Sequence, residues 1–131
     1  MTVAVGDTVR AHYNSGIYIG NVEADRDDRF LIKVLAVIKH PMQGDLHHPG
    51  ALDDNVFFHS RKALAHYEKM NVAKAVVYPY NDPIPDYRQS LQDALTTMKN
   101  KLIEKNTDFS KAALKKLTDL ENNDYQKSYY K

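Results

Sequence analysis

The chain has 131 residues and carries 18 Lys and Arg against 17 Asp and Glu, a formal net charge of +1. This near-neutral balance argues against strong nonspecific binding to nucleic acid, and the absence of cysteine excludes disulfides, thiolate metal sites and cysteine nucleophiles. The first residues have neither the basic region nor the apolar core of a signal peptide, and the longest apolar runs are too short to span a membrane. We therefore expect a cytoplasmic protein with one domain, or a small core with an appendage.

Three β-strands are predicted in the first part of the chain. The first strand begins at Thr8, and a turn over residues 14–16 contains Asn and Gly, which tolerate positive φ. A second strand over residues 17–24 completes a hairpin, and the polar run over residues 25–29 predicts another turn. The third strand runs from Phe30 to Lys39.

The third strand differs from a strand that faces water on one side. One face is entirely apolar; its residues are Phe30, Ile32, Val34, Ala36 and Ile38. The other face is only partly polar; its residues are Leu31, Lys33, Leu35, Val37 and Lys39. Because a single-sided sheet should alternate cleanly, we expect another part of the chain to cover the second face.

Two further short strands complete the predicted sheet. Residues 63–70 fit a strand or a short helix, and we favour the strand because a small barrel needs a fourth strand here. A tight turn over residues 71–74 then leads to a closing strand, Ala75–Tyr78. Five short strands in residues 1–82 indicate a small antiparallel barrel of the SH3-like kind.

The spacing becomes helical after Pro85. Asp86 followed by Gln89 resembles a capping box, and two apolar stripes at helical spacing then follow, separated by a polar break over residues 106–108. The first stripe is Tyr87, Leu91, Ala94, Leu95, Met98 and Leu102, and the second is Phe109, Ala113, Leu114, Leu117 and Leu120. Residues 83–131 are thus predicted to form a helical hairpin that packs on the third strand, with a tail that is frayed at its end. The expected fold class is α+β.

The irregular segment 40–60 concentrates unusual chemistry, with histidines, prolines and glycines close together. Asp45, His47, His48 and His59 could supply metal ligands, but adjacent histidines point in different directions and no helical His pair presets a geometry. A catalytic role would need a nucleophile positioned beside a histidine; Ser60 neighbours His59 in sequence, but adjacency alone is not a triad geometry, and no nucleophile-elbow motif is present. The loop is therefore more consistent with recognition than with a metal or catalytic centre, and we expect neither a cofactor nor enzyme activity.

Several motifs together resemble one known family. They are SGIYIG, HPMQGDLHHP, FFHSRKALAHYEK, VVYPYND and PDYRQSL. From about Gly6 to about Leu120, the chain is similar to the kinase-associated protein B family of spore-forming Bacillus-type bacteria. The resemblance implies a small SH3-like barrel followed by helices. It also implies a noncatalytic accessory protein that activates a membrane sensor histidine kinase feeding the sporulation phosphorelay.

The name of this family often includes the word lipoprotein, whereas this chain has no cysteine for a thioether lipid. We expect it to reach the inner face of the membrane only through its kinase partner. We do not expect it to bind nucleic acid directly. The sequence leaves open a homodimer through helix surface such as Ile103 and Leu114.

A loop stiffened by Pro and Gly can dock with little ordering cost, and the loop and its flank supply our candidates for the partner-binding surface. They are Gln43, Gly44, Asp45, His47, His48, Phe57, Phe58 and His59. The alternative for these residues is structural, with the two phenylalanines closing the barrel end and Asp45 capping the loop. The alternative function is a small-barrel module that binds nucleic acid or a metal-dependent ligand through the histidine loop.

Overall fold

The computed structural model describes residues 3–43 and 61–129. Within these ranges an antiparallel sheet of five strands is followed by two helices, as the α+β prediction requires. The strands are β1 (Thr8–Tyr13), β2 (Gly16–Arg26), β3 (Arg29–Lys39), β4 (Lys69–Ala73) and β5 (Val77–Pro79). The helices are α1 (Tyr87–Lys105) and α2 (Asp108–Leu120). A 3₁₀ turn (Lys74–Val76) joins β4 to β5, and α2 continues into a π-helical segment (Glu121–Tyr129).

The sheet has the strand order β4-β3-β2-β1-β5. It curls so that β1 also approaches β4. Among the described residues, β4 and β5 form the two ends of the hydrogen-bonded order and are not paired with each other. The sheet is therefore an open, strongly curved one that is compatible with an SH3-like barrel without closing it.

A β-bulge at Leu35 changes which residues of β3 face the core. The pairs on either side of it are Val34–Gly20 and Ala36–Ile19, which leaves Leu35 without a partner on β2. One extra residue in a strand reverses the alternation beyond it. Val37 therefore joins the main core in place of Ala36, and Ile38 is 41% exposed. The predicted assignment of Ile38 to the inner face and Val37 to the outer face was wrong for this reason.

The fourth strand lies further along the chain than predicted. Residues 61–65 have no regular structure, residues 66–67 form a turn, and β4 includes residues 71–73 that were expected to be a tight turn. The ladder to β3 begins with backbone bonds on Val34, which donates to the Glu68 carbonyl at 2.9 Å and accepts from the Tyr67 N–H at 2.8 Å. The segment before this point is held instead by hydrogen bonds from side chains to residues 63 and 64.

The helical hairpin has the predicted limits. The Asp86 carboxylate caps α1 by accepting from the Gln89 N–H at 3.2 Å, and α1 ends at Asn106 in the left-handed conformation. Thr107 begins α2 with a complete capping box in which Ser110 is the other member. The first helix packs on β3, and the Ser90 hydroxyl accepts from the Val37 N–H at 3.0 Å, which confirms for α1 that the helical hairpin packs on this strand.

One continuous apolar cluster joins sheet and helices. Its members from the sheet include Val9, Tyr18, Ile32 and Val34, and its members from the helical part include Leu91, Leu95, Leu117 and Tyr125. Tyr125, the first residue of the predicted tail, is fully buried. Residues 130–131 lie outside the described residues, and the fraying of the end stays a prediction. Among the described residues, neither helix is long and apolar enough to cross a membrane.

Candidate functional site

The described residues include the two ends of the histidine loop. Among the predicted partner-binding residues, Gln43 lies within them. The others lie outside the described residues: Gly44, Asp45, His47, His48, Phe57, Phe58 and His59. The candidate metal ligands also lie outside the described residues, and their roles stay predictions; they are Asp45, His47, His48 and His59.

The side chain of Gln43 joins the two ends of the loop. Its Oε1 accepts from the Arg61 N–H at 2.8 Å, and its Nε2 donates to the Arg61 carbonyl at 2.8 Å and to the Pro41 carbonyl at 3.1 Å. The amide group thus imitates a backbone pair across the loop base. Gln43 is buried, so the structure gives this side chain a bracing role, and its direct contact with a partner stays a prediction.

His40 also belongs to the loop base; it directly follows β3 and is fully buried. Nδ1 lies 2.9 Å from the Pro41 carbonyl oxygen, and Nε2 lies 2.6 Å from the Tyr125 hydroxyl. Because a carbonyl only accepts, Nδ1 carries the proton. The Tyr125 oxygen accepts from the Ala63 N–H at 2.9 Å, so its own proton is directed at the bare Nε2 of a neutral imidazole.

Four tyrosines hold the segment that follows the loop. Tyr125 binds the Ala63 N–H and the Tyr129 hydroxyl donates to the Ala63 carbonyl at 3.1 Å. The Tyr18 hydroxyl accepts from the Leu64 N–H at 3.3 Å, and the Tyr87 hydroxyl donates to the Leu64 carbonyl at 2.5 Å. Residues 63 and 64 are therefore fixed from β2, α1 and the C-terminal segment at once, which explains why they form no strand.

Burial dominates the electrostatics of this cluster. It lowers the pKa of His40 to about 4, against the hydrogen bond to Pro41, and the charge of Lys99 lowers it further. Burial also raises the pKa of Tyr18 to about 12 and raises those of Tyr87 and Tyr129. The cluster thus consists of neutral groups whose hydrogen bonds are used within the chain, an arrangement suited to holding the loop base in place.

The described part of the chain also has an open groove of about 1270 Å³ between the ends of β2 and β3 and the two helices. Its apolar lining includes Ile17, Ile38, Met42, Met98, Leu102 and Phe109. Its charged lining consists of Lys39, Lys101, Glu104, Lys105 and Asp108. Because Met42 and Gln43 line it, the groove begins at the base of the histidine loop. Over residues 3–43 and 61–129, no three His, Asp or Glu side chains converge where a metal ion could be held.

Sequence reasoning identified the loop but missed the cluster that supports it. Tyr125 and Tyr129 lie four residues apart and continue the buried side of α2 beyond Leu120. That spacing was the available signal. The pairing of Tyr125 with His40 joins residues 85 positions apart in the chain, and local patterns carry no information on such contacts.

Known proteins resemble the chain over nearly its whole length. The family model described as "Kinase associated protein B" matches residues 13–126. Kinase-associated lipoprotein B of Bacillus subtilis (strain 168) is 44% identical over 120 residues, which are 92% of this chain and 93% of that protein. The crystal structure of kinase-associated protein B from Bacillus cereus superposes with a TM-score of 0.80 at 34% identity, covering 95% of this chain and 99% of the other. The chain therefore belongs to the kinase-associated protein B family.

Proposed function

We propose that this protein is a noncatalytic accessory factor that activates a membrane sensor histidine kinase of the sporulation phosphorelay by direct contact. The relatives are named for association with a kinase, and this supports a kinase partner. The type of kinase and the direction of the effect are our proposal. The protein would act at the inner face of the membrane, where its partner recruits it.

The observation that carries the proposal is the braced base of the histidine loop. Gln43 joins the loop ends through two hydrogen bonds of 2.8 Å. Beside it, His40 Nε2 is hydrogen-bonded to the Tyr125 hydroxyl at 2.6 Å. A loop base fixed in this way has little conformational entropy left to lose on binding, which favours recognition at the base. The polar groups of Gln43, His40 and Tyr125 already have hydrogen-bond partners within the chain. They are therefore better suited to holding a binding surface in place than to catalysis.

The groove beside the loop offers an apolar surface for the same partner. Ile38 and Met42 are 41% and 36% exposed there, and methionine adapts readily to the shape of a bound segment. Three lysines against one Asp and one Glu give the lining a positive balance. We therefore propose that a kinase segment with an apolar face and acidic flanks docks in this groove beside the loop.

The proposal is tested by titrating the purified protein into the cytoplasmic part of the sporulation kinase and measuring binding and kinase autophosphorylation. We expect binding, and a rise in autophosphorylation. Replacing Ile38→Glu should weaken binding by about tenfold or more, because a carboxylate at the centre of an apolar interface is costly. Ile103→Glu is the matched control, since Ile103 is 59% exposed and does not line the groove.

Two results would contradict the proposal. If the wild-type protein neither binds the kinase nor changes its autophosphorylation, the proposed role as a kinase activator is wrong. Equal weakening by Ile38→Glu and Ile103→Glu would remove the groove as the docking surface. The double replacement of Asp45→Ala and His47→Ala tests the loop separately, and unchanged kinase binding by a folded variant would show that these residues are not in the interface.

A further inference from the structure

Tyr67 has an unusual backbone conformation for its residue type. Its φ is +70°, in the left-handed region that bulky side chains avoid. The other non-glycine residues with positive φ in the described ranges are Asn14, Ser15, Asp27 and Asn106, all of them small and polar. Tyr67 is therefore the exception, and glycine or asparagine would relieve strain at this position.

The backbone conformation is needed, but the tyrosine ring is not needed for it. The Tyr67 N–H donates to the Val34 carbonyl at 2.8 Å, and the following residue, Glu68, continues the pairing with β3. Any residue that tolerates positive φ could make these backbone bonds. The side chain is 58% exposed and is not part of the main apolar cluster, so core packing does not explain its presence.

The ring is nevertheless held in a defined position. It stacks on His66 with the ring centres 3.8 Å apart, and His66 stacks on the buried Tyr87 at 5.1 Å with the ring planes 10° apart. These rings form a column that leads from the first residue of α1 to the surface, and Tyr67 is its exposed end. An aromatic ring ordered in advance contributes contact area at low entropic cost.

A lysine lies beside the exposed ring. Lys33 Nζ lies 5.2 Å from the Tyr67 ring centre, and both Lys33 and Lys69 pair with one carboxylate, that of Glu23, at 3.8 and 3.7 Å. The Glu68 carboxylate accepts from the Ala65 N–H at 2.9 Å and lies close enough to the buried Tyr18 and Tyr87 to raise the pKa of both. Two ammonium groups thus share one carboxylate, and the ammonium group of Lys33 lies beside the ring.

We propose that Tyr67 is an anchor residue for the kinase, inserting its ring into an apolar pocket whose rim carries carboxylates for Lys33 and Lys69. Strain of this kind persists where function retains it, and tyrosine is frequent among the residues that dominate protein interfaces. This inference rests on the proposed kinase contact but names a different surface from the groove, so the two can fail separately.

The test compares Tyr67→Asn with Tyr78→Thr in thermal unfolding and in binding to the cytoplasmic part of the kinase. Tyr78 is a matched control because it is 40% exposed and also lies beside a cation and a histidine, Arg10 and His12, but has no positive φ. We expect Tyr67→Asn to raise Tm by a few degrees and to weaken kinase binding about tenfold or more. Tyr78→Thr should leave binding unchanged.

Each other outcome has a definite meaning. If wild-type protein binds the kinase and Tyr67→Asn binds equally well, the anchor is wrong while the kinase contact stands. If wild-type protein does not bind, both fail. A lower Tm for Tyr67→Asn would refute the strain argument and overturn the inference. A dimer that Tyr67→Asn dissociates, with kinase binding unchanged, would assign the ring to a contact between two copies of this chain.

Discussion

His40 shows how much the role of a residue depends on its surroundings. In the sequence it opens a histidine-rich loop that suggests metal or acid–base chemistry, whereas the structure buries it with both nitrogens bound by Pro41 and Tyr125. Its Nε2 accepts a hydrogen bond from the Tyr125 hydroxyl, so both nitrogens of the neutral imidazole are engaged within the chain. Gln43 likewise uses its amide group to join the loop ends. At this scale the base of the loop is built for support.

The buried His40 makes stability depend on pH in a definite direction. Its pKa falls from the ordinary 6.5 to about 4 on folding, so the unfolded chain binds the proton more readily. The contribution of His40 to the free energy of unfolding is therefore complete above about pH 6.5. It is lost progressively as the pH falls toward 4 and does not change further below that value. The loss amounts to about 3 kcal/mol by the conversion of pKa differences into free energy. Denaturant unfolding between pH 7 and 4 measures it.

The control for this pH dependence is His40→Gln, which cannot titrate. It should be less stable at pH 7, yet its stability should fall less steeply than that of the wild type between pH 6.5 and 4. Carboxylates titrate in both proteins, so the difference between the two slopes isolates His40. Parallel slopes would contradict the assignment of a neutral, buried imidazole.

Among the elements, the helices follow their local signals more closely than the strands. The αα-hairpin turns at Asn106, whose left-handed conformation ends α1, and Thr107 immediately begins α2. Asn tolerates positive φ and Thr accepts from free N–H groups, so neighbouring residues determine this turn. The strand β4, in contrast, forms only where its backbone meets β3.

We expect the replacement Thr107→Ala to destabilise the protein by about 1 kcal/mol, the usual effect of losing an N-cap. The hydroxyl accepts from the Ser110 N–H at 3.0 Å, and without it that donor loses its partner. Chemical denaturation at neutral pH is the measurement. Thr118→Ala is the control in the same helix, because its exposed hydroxyl only bonds the Leu114 carbonyl, and it should change stability little. Equal effects of the two replacements would show that the cap is not important.

On the scale of the whole molecule, the sheet does not have a core of its own. Tyr87, Leu91 and Leu95 of α1 belong to the same apolar cluster as Val34 and Val37 of β3. The C-terminal segment adds Tyr125, which reaches across to the loop base. The change of pattern predicted two domains, residues 1–82 and 83–131, and this division stays a prediction.

We expect the full chain to unfold in one cooperative step and a fragment of residues 1–82 to remain unfolded, because removing the helices exposes the shared cluster. Amide hydrogen exchange should give similar opening free energies for the centre of β3 and for α1. A fragment with dispersed amide resonances and a cooperative thermal transition would contradict this and would make residue 82 a true domain boundary.

Local sequence patterns were enough to predict the α+β class, the first hairpin, and both helices with their caps, since each depends on residues within a few positions of one another. It also identified the loop 40–60 as unusual. Three features became visible only in the folded chain: the bulge at Leu35, the position of β4 and the burial of Tyr125. These depend on pairings between distant parts of the chain, where the hydrogen bonds of a neighbouring strand or hydroxyl outweigh local preference. The brace beneath the loop is of this second kind, because His40 and Tyr125 meet only after sheet and helices have packed together.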